Sequence, residues 1–240
     1  MNDRGAGEIK RMTAQTKPTD TLPRVVQIGF HKCGTRSLEQ LFRGAGHPVV
    51  KYRLRRPLRR SRNAGLLMQQ NLAAGRKIFA GMEDRVFYAD LIYQTERDSF
   101  QPIRHFREIM RDYPDTILLL NVRNREDWIR SRLKHGHGEF AQRVMRQRGI
   151  GSPDELAGIW REEWDTHLAE VRAFMADRPE QFIEFDIDTD SVEALVERLS
   201  AYGLRAEHWG DIGRTRGVRR HPLVAKLKRI WAHARWRPTD

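Results

Sequence analysis

The sequence predicts an α/β domain of three layers, a central parallel sheet with helices on both faces. Three observations lead there. Short apolar runs rich in β-branched residues alternate with segments of helical apolar spacing, the pattern of strand–helix–strand units. Residues 116–122 (TILLLNV) are almost continuously apolar, as an interior parallel strand covered on both faces should be. The first apolar run passes through a glycine-bounded loop into a helix, which sets helix amides at the carboxyl end of a strand.

Taken in order, residues 1–22 are polar, lack periodicity and read as a disordered tail. Residues 23–220 are expected to form the domain, and 221–240 a basic C-terminal helix and tail. Pro23 precedes the first strand, 25–28 (VVQI). Leu38, Leu41, Phe42 and Ala45 give the next helix its apolar face, and Gly44, Gly46 and Pro48 break it. Val49 and Val50 begin a second strand, which runs into the basic stretch 51–62. Residues 63–74 read as a short helix, and 77–82 (KIFAGM) as a third strand ending at Glu83, Asp84 and Arg85. Ile103, Phe106, Met110 and Tyr113 mark a helix, and Pro114 and Asp115 turn the chain into TILLLNV. Arg123 sits at the carboxyl end of that strand, and a helix starts near residues 126–128. Leu156, Trp160, Trp164, Leu168, Val171 and Met175 space a long helix over 154–175. Residues 182–187 (FIEFDI) are the last strand. Asp190 with Glu193 resembles a capping box for the helix that Gly203 ends. Ligands of parallel sheets bind beyond the carboxyl ends of the strands, so Gly29, Glu83 and Arg123 are expected along one edge.

Composition narrows the function. The 240 residues are 39 % hydrophobic, contain no apolar run long enough to span a membrane, and open without the apolar core of a signal peptide. The single cysteine, Cys33, excludes an internal disulfide framework and suits a reducing compartment, so the protein is expected to be cytoplasmic. No cluster has metal-ligand spacing. The formal net charge of +12 resides in two segments. Residues 51–62 hold seven basic residues and 214–237 hold nine, neither with an acid, and the remainder carries 28 basic against 32 acidic residues. Such segments attract polyanions or are simply solvated faces.

Residues 29–37 (GFHKCGTRS) form an anion-binding loop by composition. The first-turn amides of a helix have no internal partners, Lys32 adds a full charge, and Thr35 and Ser37 add hydroxyls. Gly29 and Gly34 have the spacing of a P-loop, but Thr35 stands where its lysine would be, and the lysine lies inside the loop instead. That departure weakens a Mg·ATP kinase or hydrolase reading. A second constellation follows the central strand. Arg123 offers a guanidinium fork, and Ser131 lies eight residues on, about two turns into the next helix. Taken singly, Arg123 could pair with Glu126 or Asp127, and Ser131 could be a surface helix residue.

The pattern K-x-G-T-x-S followed by strand-Arg and, eight residues later, Ser resembles sulfotransferases that use 3′-phosphoadenosine 5′-phosphosulfate (PAPS). The resemblance spans roughly residues 25–204 and is closer to the carbohydrate and bacterial type. It implies a P-loop NTPase-like fold, PAPS as co-substrate and no metal. It implies that Lys32, Cys33, Gly34, Thr35, Arg36 and Ser37 hold the 5′-phosphosulfate, that Arg123 and Ser131 hold the 3′-phosphate, and, loosely, that Arg216, Gly217 and Arg219 close over the nucleotide. The chain departs from the cytosolic small-molecule enzymes in having His31 before the loop lysine and no histidine after KIFAGM. Glu83, with Phe87 and Tyr88 beyond it, resembles the general base of the carbohydrate type, and Asp84 is its neighbouring alternative. Lys32 would steady the leaving oxygen and Glu83 would take the acceptor proton. The expected partner is a small-molecule or saccharide acceptor, O- or N-sulfated, and not nucleic acid. The helix predicted over 222–236, with Leu223, Leu227, Ile230 and Trp231 on one side, is a candidate for membrane-surface contact or for docking on its own domain. The competing reading is a basic protein that binds nucleic acid or anionic lipid.

Overall fold

The structure, a computed structural model, describes residues 22–56 and 59–210. Residues 1–21 of the tail expected over 1–22, the distal loop residues Arg216, Gly217 and Arg219, and the predicted C-terminal helix lie outside the described residues.

In chain order the elements are β1 (Val25–Gln27), α1 (Thr35–Gly44), β2 (Val49–Lys51), β3 (Arg53–Arg56), β4 (Arg59–Asn63), α2 (Ala64–Ala73), β5 (Phe87–Ala89), β6 (Tyr93–Gln94), β7 (Ser99–Phe100), α3 (Phe106–Asp112), β8 (Ile117–Val122), α4 (Arg125–Leu133), α5 (Glu139–Arg148), α6 (Pro153–Met175), β9 (Phe182–Asp186) and α7 (Val192–Arg198). Five strands form the parallel sheet, in the spatial order β2-β5-β1-β8-β9, and β3 and β4 extend it past β2 as antiparallel neighbours.

Alternation along the strands divides the core into two layers. Val25, Phe87, Leu119, Ile183 and Phe185 face α1 and α7 and pack with Leu38, Leu41, Phe42, Leu195 and Leu199. Val26, Tyr88, Leu118 and Leu120 face the opposite way, onto α2 to α6, through Met68, Ile109, Trp128, Val144, Trp160 and Val171. The expected three-layer α/β fold is therefore present, with helices on both faces. Capping follows the local sequence. The side chains of Asn63, Asn124 and Ser152 accept from first-turn amides of α2, α4 and α6. For α7 the cap is Ser191, which accepts from the Ala194 amide, while the Asp190 carboxylate accepts from the amide of Asp186 instead.

One strand differs from expectation. Residues 77–82 are a run of turns, and the third parallel strand is Phe87–Ala89. The KIFAGM backbone is satisfied by side chains in place of a ladder. The Asn71 amide donates to the carbonyls of Ile78 and Ala80, and the Asp112 carboxylate accepts from the Ile78 amide. Ile78, Phe79 and Met82 are fully buried, so the apolar run marks core without marking strand.

The sheet order creates a crevice at one edge. The connection after β1 leaves through α1 toward β2, whereas the connection after β8 leaves through α4 to α6 toward β9, on the other side. β1 and β8 are hydrogen-bonded neighbours, so a crevice opens between the chain segments that follow them. This reversal is where open parallel sheets bind ligands.

Candidate functional site

The loop after β1 is shaped from outside by β8 and α4. Three consecutive loop carbonyls are occupied there. The His31 carbonyl accepts from Trp128 Nε1 at 3.1 Å, the Lys32 carbonyl from Arg123 Nη1 at 3.3 Å, and the Cys33 carbonyl from Asn121 Nδ2. In a trans peptide the N–H points opposite the preceding C=O. Holding these carbonyls outward therefore turns the amides of Lys32, Cys33 and Gly34 to the inside of the loop. Residues 32–36 donate no backbone N–H to an acceptor among the described residues. The result is a nest of amides at the start of α1, which accumulates positive potential.

Two backbone requirements hold that shape. A Cβ at Gly29 would stand 2.0 Å from the Asn121 carbonyl oxygen, so only glycine fits between β1 and β8. Lys32 itself has φ 77°, and Gly34 has φ 74°. A lysine in the left-handed region is strained, and such strain concentrates at functional sites. Lys32 is half-buried, and burial together with the charges of Arg36 and Arg123 pulls its pKa below the usual lysine value. Thr35 is buried, and its hydroxyl oxygen has neither solvent nor a partner. Arg36 is exposed. Ser37 differs from expectation: its hydroxyl donates to the Gly210 carbonyl at 2.5 Å, so that donor is already engaged. Cys33 is fully buried, and burial pushes its thiol pKa up, against the thiolate that a helix N-terminus favours.

Arg123 comes to the same loop from the end of β8. Its guanidinium bonds the Lys32 carbonyl and approaches Asp188 at 3.5 Å, and Asp188 also accepts from the Asn124 amide that starts α4. The Arg123 Nε is buried without an acceptor. Ser131 is half-buried on α4 and makes no hydrogen bond to the loop or to Arg123. The structure thus brings the 32–37 loop and Arg123 together and places Ser131 on the helix that Arg123 precedes.

Glu83 is not part of this edge. Its Oε1 accepts from Tyr113 Oη at 3.0 Å, its carbonyl accepts from Arg24, and it precedes β5. Arg24 and Tyr113 lie before β1 and β8, so Glu83 occupies the amino-terminal edge of the sheet, opposite the loop. Asp84 pairs with Arg85 beside it. The expected position beyond a third strand fails because that strand lies at 87–89.

The carboxylate that does follow β5 is Asp90. Its backbone is left-handed at φ 49° and is tied to the loop through Gln27. The buried Gln27 side chain donates to the Gly29 carbonyl at 2.9 Å and accepts from the Asp90 amide at 3.0 Å. Burial raises the Asp90 pKa above the ordinary carboxylate value; Glu39 reinforces the shift, while Lys51, Lys32 and Arg36 oppose it. A carboxylate of this kind at a cleft beside a cationic loop is suited to proton transfer. The signal in the sequence was an acid directly after the short apolar run FYA.

His167 anchors the root of the loop from α6. It is completely buried, its Nε2 bonds the Ile28 carbonyl at 2.7 Å, and burial holds its pKa down at about 4, so the ring is neutral and Nε2 is the donor. No group of three or more histidine, cysteine, aspartate or glutamate side chains with metal-binding geometry occurs among the described residues. No helix among them is long and apolar enough to cross a membrane.

No protein-family model matches the sequence, and no curated protein matches it. Among solved structures the chain is similar to a sulfotransferase from Alicyclobacillus acidocaldarius, at 16 % identity and a TM-score of 0.42, over 89 % of this chain and 92 % of that one.

Proposed function

We propose that this protein is a sulfotransferase that moves the sulfuryl group of PAPS to a hydroxyl or amine of an acceptor. The observation that carries the reading is the junction of the two cationic elements: the Arg123 guanidinium bonds the carbonyl of Lys32. A phosphosulfate in the amide nest of 32–36 and a 3′-phosphate at Arg123 are thereby within the span of one nucleotide. The Thr35 hydroxyl and the Arg123 Nε are buried without partners in the same two elements. Ser131, Arg36 and, from outside the described residues, Arg216, Gly217 and Arg219 complete the proposed nucleotide contacts.

The step follows from these positions. The acceptor oxygen forms a bond to sulfur while the bond from sulfur to the 5′-phosphate oxygen breaks, with the three atoms in line. Asp90 takes the acceptor proton, replacing Glu83 in that role. Lys32 and the loop amides hold the negative charge that returns to the leaving phosphate. Gln27 positions Asp90 against the loop without touching substrate. Such a leaving group, already bound by fixed cations and amide dipoles, has its charge neutralised by the protein itself.

The test is the Arg123→Ala variant with 3′,5′-adenosine bisphosphate and with 5′-AMP. Hydrogen bonds to charged groups contribute about 1.5–3 kcal/mol, so the bisphosphate should bind about 10- to 100-fold more weakly to the variant. Binding of 5′-AMP should change far less, because it lacks the 3′-phosphate. Equal losses for both ligands would remove Arg123 from 3′-phosphate recognition.

A further inference from the structure

We propose that the acceptor carries a carboxylate on an apolar body, and that Arg132 receives it. The proposal rests on reading this edge as a sulfuryl-transfer site, and it names the acceptor class for that site.

Arg132 is 2 % exposed on α4. Its guanidinium packs among the rings of Trp160 at 4.3 Å, Trp128 at 5.0 Å, Phe140 at 5.4 Å and Phe30 at 5.8 Å. Aromatic faces offset part of a buried charge, but they do not accept the in-plane N–H groups. Arg132 Nε and Nη1 are sealed from solvent with no acceptor, and among the described residues no carboxylate pairs with it. The acid that acts on it at longer range, Glu163, is bonded to Arg148 through Oε1 at 2.6 Å, and its Oε2 is buried without a hydrogen bond to Arg132. An unpaired buried guanidinium is costly to a fold, and ordinary core packing does not call for one. Burial accordingly lowers its pKa to about 9, which still leaves it charged at neutral pH.

The same side chain lines a narrow cavity with His31, Asp90, Leu91, Ile92 and Ile103. His31 contributes a second unsatisfied group, since its Nε2 is sealed from solvent and unpartnered. The cavity holds about 20 Å³, the space of one or two water molecules. That fits the two oxygens of a carboxylate and excludes a ring. Asp90 and Arg132 share the cavity, so a molecule whose hydroxyl and acid group lie one or two carbons apart can offer the first to Asp90 and the second to Arg132, with its apolar body outside the cavity. Gln101 separates this cavity from an open cleft of about 500 Å³ lined by Arg104, His105 and Arg148. The cleft is cationic and draws an anion toward the inner site.

The experiment compares 3-hydroxybutanoate and 3-hydroxyoctanoate with their methyl esters on the full chain. Two readouts are taken: release of 3′,5′-adenosine bisphosphate from PAPS, and thermal stabilisation of the protein loaded with that nucleotide. In the wild type each acid should exceed its ester at least tenfold in kcat/KM and should raise the melting temperature where the ester does not. In Arg132→Met the acid-to-ester ratio should fall toward one with nucleotide affinity within about twofold, and Arg132→Lys should restore part of the ratio. Esters that match or exceed the acids in the wild type overturn the proposal, whether or not the variants fold. So does an unchanged ratio in a folded Arg132→Met protein, or the absence of both stabilisation and turnover by either acid. Failure of the nucleotide itself to bind would instead strike the sulfotransferase reading, and titrating it first keeps the two failures apart.

Discussion

Replacing Lys32 by Met is expected to lower turnover of PAPS by about 10²–10³-fold, the cost of losing one preorganised donor to a developing oxyanion. The loss should appear in kcat, with binding of 3′,5′-adenosine bisphosphate weakened much less, because the loop amides remain. The distinction follows from position. Lys32 is the charged member of a nest otherwise built of amides, and its left-handed backbone lies between the His31 and Cys33 carbonyls, which Trp128 and Asn121 hold. Its lowered pKa adds a pH signature. The ammonium is needed for the step, so activity should decline on the alkaline side at a pH below the ordinary lysine value. Release of the bisphosphate from PAPS, followed across pH, measures both. A variant with wild-type kcat and weakened nucleotide affinity would make Lys32 a binding residue only.

Asp90→Asn is the second large effect, a fall of about 10²–10⁴-fold in kcat, as removal of a general base gives. Glu83→Gln should stay within a few-fold of the wild type, since Glu83 lies at the far edge beside Tyr113. The sign with pH is fixed by the direction of the Asp90 shift. A base must be deprotonated, and burial holds this carboxyl protonated to a higher pH than a free aspartate. Activity should therefore rise with pH through a value above the ordinary carboxylate range, and this acid limb should vanish in Asp90→Asn. If Glu83→Gln is the variant that loses turnover, the placement of the base after β5 is wrong.

The contrast between these two acids shows what the sequence could and could not reveal. The long periodic segments, such as Pro153–Met175 with its tryptophans and the apolar strand Ile117–Val122, were legible because burial of one helix face or of both strand faces leaves a pattern over many residues. The glycine-bounded loop between β1 and α1 was legible because strand spacing gives way to helical spacing across it and because glycine marks its two ends, at 29 where β8 approaches closely and at 34 where φ is 74°. KIFAGM misled because a buried turn and a buried strand are equally apolar, and the side chains that satisfy its backbone, Asn71 and Asp112, come from elsewhere in the chain. Reading it as the strand displaced the candidate base to Glu83. The third parallel strand, Phe87–Ala89, is three residues long, too short for periodicity to announce. Asp90 matters through Gln27, a contact across 63 positions, and Arg132 through an aromatic cage assembled from the loop after β1, α4, α5 and α6. Such long-range relations leave no mark in local spacing.

Calorimetric titration of the full chain with 3′,5′-adenosine bisphosphate, without metal, tests the central claim most directly. The account predicts saturable binding to a single site, tighter than that of 5′-AMP and tighter than that of Mg·ATP, because Arg123 and the 32–36 nest grip opposite ends of one nucleotide. No binding of the bisphosphate, or tighter binding of Mg·ATP, would contradict it.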